Sequence, residues 1–414
     1  MTETFRRAEP QGADRAFGAD GTLAARQTTL RRSNLELVLK TVLASPGLSR
    51  AGVATATALT RSTVSRLVDE LIEAGFLVEG TPSEVQGRGR PGTPLQAGNS
   101  LVALGLQINA GYLAARAVSL SGMVLADEVE SGDFVGSDPQ DTLLRLARLA
   151  RDVSMRLDPL HQVVGAGFAL PGLVAASAKV LLRAPNLGWT NVAFGPFAES
   201  FGIPGQALQI GNEADLAARA VATPTPGRPS PLRDFIYVSG EIGIGGAAVI
   251  DGRLLTGRHG WGGEIGHVCV DPHGPPCPCG STGCLEQYAG RRVLLEAAGL
   301  APSATTDDVA DAVRGGDRVA LAAVNRLSWA LGVALASVVN LLDIPHIVLG
   351  GHLGAIADLI SPGLDQQLRM RVLSAAWVTP RVDVSIADPA AGAMGAALHV
   401  FEGVISSPAD WLQG

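Results

Sequence analysis

Three of the four cysteines lie in the segment CPCGSTGC as Cys277, Cys279 and Cys284, and His267 stands ten residues before the first of them. Thiolates and an imidazole spaced this tightly suit a tetrahedral zinc ion. Four protein ligands leave no open position for water, so the metal expected is structural, not catalytic. A disulfide is the competing reading. The charged opening segment MTETFRRAEP lacks the apolar run of an export signal, so a reducing cytoplasmic setting is expected, which disfavours disulfides. Cys269 is expected to be a buried apolar residue outside the metal set. Two carboxylates flank the cluster, Glu264 in GGEIGHV and Glu286 in GCLEQY. Either one alone is more often a solvated surface charge. If zinc fixes the loop between them, both acids and the free edge of His267 can converge on one polar ligand. The adjacent hydroxyls of a sugar or short oligosaccharide, each a hydrogen-bond donor, match that set of acceptors.

A second kind of chemistry lies near the N-terminus. From Arg26 to Arg66 the basic residues are Arg26, Arg31, Arg32, Lys40, Arg50, Arg61 and Arg66, against Glu36 alone, although the whole chain carries a formal net charge of −7. A protein of that overall charge does not coat nucleic acid along its whole surface, so any DNA contact belongs at this end. Residues 1–32 show no periodicity and are expected to be disordered. Ser33 and Glu36 have capping-box spacing, and Leu35, Val38, Leu39, Val42 and Leu43 follow on one helical face. Pro46-Gly47 breaks that helix, Ser49 can cap a second, and Thr60 can cap a third with apolar face Val64, Leu67, Val68, Leu71 and Ile72. Phe76 to Glu79 then has strand character, before the polar stretch TPSEVQGRGRPGTP. Three short helices and a ribbon fit a winged helix-turn-helix over 33–80, with a wing and linker over 81–98. The third helix would present Arg61, Ser62, Thr63, Ser65, Arg66 and Asp69 to a major groove. The segment LTRSTVSRLVDELIEAGFLVEG resembles the recognition helix and first wing strand of bacterial winged-helix repressors. Gly52 inside the second helix and Ala58 in the turn depart from that pattern. Arg88 and Arg90, in the compact RGRP core, could enter a narrow A·T-rich minor groove or simply touch phosphates as a basic linker.

Length and texture bound the rest. At 414 residues and 47% hydrophobic, the chain has material for two to four domains. The most apolar stretch, Trp329 to Val339, falls short of the roughly 20 residues that cross a bilayer and reads as a buried helix, so no membrane partner is expected. Beyond Leu95 the runs LVALGLQI, VVGAGFAL, FIYVSG and HIVLGG alternate with helical or glycine-rich segments, which indicates an α/β architecture. Glycine-rich turns expected after strands near Gly105 and Gly240 suggest two similar lobes facing a cleft.

From Ser33 to about Val404 the chain resembles the ROK proteins, named for repressor, open reading frame and kinase. The resemblance rests on GGEIGH followed by C-x-C-G-x-x-G-C-L-E, supported by LPGLV at 170–174, APNLGW at 184–189 and LLDIPHIVLGG at 341–351. It implies two actin-like ATPase lobes of ribonuclease H-like type. The first would cover 99–220, completed by a C-terminal helix over 390–405, and the second, with the zinc site, 221–389. It implies that His267 binds zinc through one ring nitrogen and faces a sugar with the other. It also implies sugar contacts at Glu264, Glu286, Asn212 and Glu213, and less directly at Asn186 and Gly172. Family kinases open with D-x-G-G-T, where the aspartate assists magnesium and bare backbone approaches ATP phosphates. Here the aligned residues are Gln107-Ile108-Asn109-Ala110-Gly111. The second phosphate loop, usually G-T-G-I-G-G, begins at Glu241 and reads EIGIGG. The catalytic aspartate corresponds to Glu213, one methylene longer. Phosphoryl transfer depends on positioned groups, so three altered elements together argue against catalysis and leave no catalytic residue assigned. The expectation is a cytoplasmic, sugar-responsive repressor of carbohydrate-metabolism genes. It would be a homodimer or dimer of dimers on a palindromic double-stranded operator, since paired heads read half-sites about one helical turn, or a multiple, apart. An ATP-dependent sugar kinase with an appended DNA-binding domain is the alternative, and a sugar-responsive scaffold that contacts another protein is a third reading.

Overall fold

The computed structural model describes residues 19–81, 92–201, 207–386, 388 and 390–412. The chain opens with α1 (Ala19–Ala44), α2 (Arg50–Thr57) and α3 (Arg61–Glu73), followed by β1 (Leu77–Glu79) and β2 (Leu95–Ala97), which pair antiparallel. The Ser49 side chain accepts the Gly52 N–H and caps α2; the Thr60 side chain accepts the Thr63 N–H and caps α3. Leu35, Val38, Leu39 and Val42 of α1 close over Val53, Val64, Leu67, Val68 and Leu71, all within 1% of full burial. Ala58 takes the left-handed conformation, φ 56°, at the α2–α3 turn.

Two expectations for this end change. The first helix does not begin at Ser33, because α1 runs unbroken from Ala19, so residues 19–32 are helical. Glu36 does not complete a capping box but pairs with Lys40 one turn on, at 2.6 Å. Within the segment 81–98, expected as wing and linker, Leu95–Ala97 is the second strand of the ribbon. Residues 1–18, and Arg88 and Arg90 within 82–91, lie outside the described residues.

The body holds two five-stranded sheets of the same design. In the first, β3 (Leu101–Asn109), β4 (Tyr112–Ser119) and β5 (Val124–Ser131) form an antiparallel meander. After α4 (Pro139–Met155), β6 (Gln162–Leu170) joins the other side of β3 in parallel. A small sheet of β7 (Leu173–Ala175), β8 (Val180–Ala184) and β9 (Trp189–Ala193) follows, then β10 (Leu208–Asn212), parallel to β6, and α5 (Glu213–Ala222). The second sheet repeats the scheme with β11 (Phe235–Gly240), β12 (Ile244–Ile250) and β13 (Arg253–Leu254) antiparallel. Helices α6 (Glu286–Ala289), α7 (Arg291–Ala297), α8 (Thr306–Arg314) and α9 (Arg318–Leu342) intervene. Then β14 (His346–Gly350) pairs parallel to β11, followed by α10 (Gly351–Ala355), α11 (Ala357–Arg371) and β15 (Arg381–Val384), parallel to β14. The order β5-β4-β3-β6-β10 thus recurs as β13-β12-β11-β14-β15.

Helix α9 is long and apolar enough to cross a bilayer by composition, but 61% of its apolar window is buried inside the protein, where Leu327, Leu331 and Leu335 pack in the core of the second sheet. It is a core helix. The last helix, α12 (Ala391–Ser406), returns to the first sheet and lies against β3 and β6. Gly105 makes that approach possible. It sits within β3 instead of forming a turn, and a Cβ there would come 1.8 Å from the Ala393 carbonyl oxygen of α12. Val400, Phe401, Val404 and Ile405 of α12 share one buried cluster with the apolar face of α1, so the three-helix head and the first sheet have a continuous core.

Candidate functional site

In open α/β sheets, ligands gather at the carboxyl ends of parallel strands, where side chains and backbone amides face a crevice. Here the ends of β3, β6, β10, β11 and β14 converge on a cleft lined among others by Gln107, Asn109, Gly172, Asn212, Glu213, Glu241 and Gly351. Every residue expected to meet a sugar, Gly172, Asn186, Asn212, Glu213, Glu264, His267 and Glu286, lines this one cleft.

One half of the cleft is built around the cysteine cluster. The ligand atoms of His267, Cys277, Cys279 and Cys284 lie within 4.8 Å of one another. The Cys279 and Cys284 sulfurs are 3.7 Å apart, and the Cys277 sulfur is 3.8 Å from His267 Nδ1. Thiolates at about 2.3 Å from zinc stand about 3.8 Å apart in a tetrahedron, so the spacing fits that ion. Burial pushes the Cys277 thiol up to about 12, a preference a cation at the centre of the cluster would reverse. Tight turns hold the cysteines: Cys277 N–H donates to the Ser281 carbonyl, and Gly280 N–H to that of Cys277. All four cysteines are unpaired as disulfides, and Cys269 is exposed, not buried as expected. It lies between half-buried Val268 and buried Val270, so its side chain takes the outward place in the alternation.

Because His267 turns Nδ1 to the sulfurs, its Nε2 is the edge that faces Glu264, 3.9 Å from Oε2. Glu286 is buried, accepts from Asn186 Nδ2 at 3.2 Å, and touches the Cys277 sulfur at 3.7 Å. Burial first holds Glu264 above the usual carboxylate range; His267 opposes and nearby Glu286 adds to the shift. Asn212 is already engaged, capping α5 through Oδ1 and donating from Nδ2 to the Gly172 carbonyl at 3.0 Å. That carbonyl belongs to a residue at φ +85°, where a Cβ would meet the Arg183 oxygen at 2.2 Å, so only glycine fits.

The other half is occupied by amides and acids. Glu213 Oε2 accepts from Asn109 Nδ2 at 2.9 Å and from Gln107 Nε2 at 3.1 Å. Burial raises the Glu213 pKa and these two donors oppose the rise. Glu241 lies nearby and is pushed up to about 8, by burial first and then by Glu213, with Arg291 opposing. The sequence flagged Gln107 and Asn109 only as losses from a phosphate loop; that they instead hold Glu213 is new.

A scan of the chain against family models matches ROK, the ROK family, over residues 108–402. The chain belongs to the ROK family. It is 28% identical over 400 residues to the xylose repressor of Caldicellulosiruptor bescii, covering 92% of this chain and 98% of that protein. Among solved structures it is similar to a ROK family transcriptional regulator described as a homolog of the E. coli Mlc protein, with TM-score 0.74, 26% identity, and coverage of 93% and 100%. A ROK glucokinase from Streptomyces griseus, in complex with glucose and AMPPNP, matches 72% of this chain and 98% of its own, with TM-score 0.62 and 25% identity. The ROK kinase match is thus shorter than the regulator match and leaves more of this chain uncovered.

On the head, Arg61, Ser62 and Arg66 of α3 are exposed, and Thr63 and Ser65 half-buried. The basic excess is smaller than the sequence suggested, because most of it is paired. Arg50 joins Asp69 at 2.6 Å and Glu79 at 3.0 Å; Arg31 and Arg66 both reach Glu70; Arg32 reaches Asp410. Asp69 is therefore a partner of Arg50, not a free group on the outer face. Arg61 has no ion-pair partner among the described residues.

Proposed function

We propose that this ROK protein is a sugar-responsive, DNA-binding transcriptional regulator, a repressor of carbohydrate-metabolism genes, acting in the cytoplasm. The observation that carries it is the pairing of a three-helix head and ribbon with a kinase-like cleft whose base position, Glu213, is held by Gln107 and Asn109. The regulators it resembles match more than nine-tenths of the chain. In this reading the head is a winged helix-turn-helix with α3 in the major groove, Arg61, Ser62, Thr63, Ser65 and Arg66 meeting DNA, and Arg88 and Arg90 beside it. A homodimer or dimer of dimers presents two heads to a palindromic operator. Zinc sits in the His267, Cys277, Cys279 and Cys284 set as a structural staple. A monosaccharide or short oligosaccharide lies against Glu264, His267 and Glu286, with Asn186, Asn212, Gly172 and Glu213 completing the wall.

Sugar phosphorylation with ATP is the second reading, favoured by the likeness of the body to a glucokinase that holds glucose and a nucleotide. Against it, an acid at 241 faces the place where phosphates would lie, and amides stand at 107 and 109. Fluorescence anisotropy on DNA selected from a random-sequence pool tests the first reading. Binding should weaken steeply with salt, because phosphate contacts release counterions. Arg61→Ala should cost about 1 to 2 kcal/mol, roughly 5- to 30-fold. If wild-type protein selects no sequence from the pool at low salt, the DNA reading fails.

A further inference from the structure

We infer that Gln107 is a positioning residue that ties the ligand-facing carboxylate of Glu213 to α12, and that α12 carries the state of the cleft to the head. The inference rests on the reading above of cleft and head, and names the connection between them.

Gln107 is 4% exposed and uses both ends of its amide. Nε2 donates to Glu213 Oε2 at 3.1 Å, and Oε1 accepts from the Ala393 N–H at 3.0 Å. That N–H is one of the unpaired donors in the first turn of α12, which has no side-chain cap. Asn109 provides the contrast. Its Nδ2 also donates to Glu213, but its Oδ1 accepts from Gly111 N–H, two residues away, so Asn109 reaches no other element through these bonds.

The helix that Gln107 holds is seated on the sheet with no side chain between. A Cβ on Gly167 would come 2.3 Å from the Ala396 oxygen, as one on Gly105 would from Ala393. Rotamer changes cannot absorb a displacement across such a contact, so a shift of the first turn moves the helix as a body. Its 16 residues span about 24 Å. Ala391 and Gly392 at its start line the cleft, whereas Val400, Phe401, Val404 and Ile405 near its end are buried with Leu35, Val38 and Leu39 of α1. Just beyond, Asp410 pairs with Arg32 of α1 at 2.8 Å. Glu213 Oε2 already accepts from two amides, so a hydroxyl that donates to it competes with both; the longer of the two bonds, 3.1 Å against 2.9 Å, is that of Gln107, the amide fastened to α12. Differential bonding of this kind is what lets a ligand bias two states.

Amide hydrogen exchange on the full-length protein, without sugar or DNA, tests the connection. Gln107→Leu should speed exchange at least tenfold in the first turn of α12 and in residues 35–43 of α1. Asn109→Leu, compared at an equal loss of melting temperature, should speed exchange only around the cleft. If Gln107→Leu does not fold, Gln107→Glu replaces it, since it keeps an acceptor for Ala393 N–H while setting an acid against Glu213; faster exchange in α1 is again expected. An α1 segment that exchanges as in wild type in the Gln107 variant overturns the inference. So does an equal effect of Asn109→Leu on α1, which would mark a general loosening. Sugar and DNA binding by the wild type are measured separately, so a protein that binds neither yet shows the Gln107-specific effect refutes the functional reading and leaves the connection standing.

Discussion

The two halves of the cleft have diverged in opposite ways. Around the cysteine cluster, Glu264, His267, Glu286 and Asn186 form a ring of acceptors and donors, the first three flanking or joining that cluster and Asn186 reaching Glu286 from the turn after β8. Across the cleft, Glu213 and Glu241 lie together with raised pKa values, and the positions of the aspartate and first glycine of a phosphate loop carry Gln107 and Asn109. A polyhydroxyl ligand needs acceptors, and the first half supplies them. A polyphosphate needs cations and backbone N–H groups, and the second half offers acids. On the function proposed above, a ligand-binding body would part with its reaction by changes confined to one wall, while the wall proposed to meet the sugar keeps its acceptors.

The largest effect expected on this contrast comes from the metal. Purified full-length protein should hold about one zinc per chain, and Cys279→Ser should release it, lower stability by roughly 3 kcal/mol or more, and abolish sugar binding by freeing the loop of Glu264 and Glu286. Metal analysis and thermal unfolding check this. A variant that loses zinc yet binds sugar normally would show that the two features are independent. Next in size is the ligand contact itself. Glu264→Ala removes one acceptor from a half-buried site, and sugar affinity should fall by about 1.5 to 3 kcal/mol, roughly 10- to 150-fold, with the response of DNA binding to sugar falling in step. Calorimetry with D-xylose and D-glucose, followed by anisotropy with the sugar that binds, decides it; an undiminished affinity would place the sugar elsewhere.

These contrasts were unequally legible in the sequence. The metal quartet was readable because three of its ligands fall within eight residues and the fourth is close by, so local spacing carried the geometry. The α/β architecture was readable from four apolar runs, whereas the two lobes were expected from glycine-rich turns, and one of those glycines, Gly105, lies within β3. The hold on Glu213 was not, because its donors lie 104 and 106 residues away, and no periodicity reports a pair so distant. The start of α1 was misjudged for a different reason. An S-x-x-E spacing reads as a cap, but the same i,i+3 spacing occurs inside any helix, and the residues before Ser33 are rich in Ala, Leu, Arg and Gln, which favour continuing it. Exposed Cys269 could have been found from strand alternation, had Val268 and Val270 been weighed with it.

A smaller effect should separate the walls by pH. Glu241, raised to about 8, binds its proton more tightly in the folded protein than in the unfolded chain. The folded state therefore carries the extra proton between the unfolded carboxyl pKa, about 4.3, and about 8, and stability declines as pH rises through that window. Glu241→Gln removes the titration and should raise stability at pH 8 relative to pH 5 by on the order of 1 kcal/mol, a discounted figure because the group lines an open cleft. Denaturation of the two proteins at both pH values checks the sign. An equal gain at pH 5 and pH 8 would mean that packing, not charge, is responsible.

The smallest effect expected is none, and it bears most directly on what the altered wall does. Magnesium with AMPPNP should not shift the melting temperature, and magnesium with ATP should give no sugar phosphate above background. The reason is electrostatic. Glu241 holds its proton up to about 8 and Glu213 is raised as well, so near neutral pH this wall offers nucleotide phosphates buried carboxyl groups that supply no compensating positive charge, and that become repelling charges once they ionise. The enzyme reaction would also need a free carboxylate to accept the sugar hydroxyl proton. Glu213 instead accepts from Gln107 and Asn109. The reverse substitutions make the argument stronger than a bare absence. Glu241→Thr removes the acid from the second loop, and Gln107→Asp returns a carboxylate where the family kinases place the one that assists magnesium. The double variant should therefore gain a melting shift with magnesium and AMPPNP that neither wild type nor Gln107→Asp alone shows. Turnover near 1 per second by the wild type, the low end for kinases, would end the contrast between the walls, because the second wall would then be working as a phosphate site in spite of its acids.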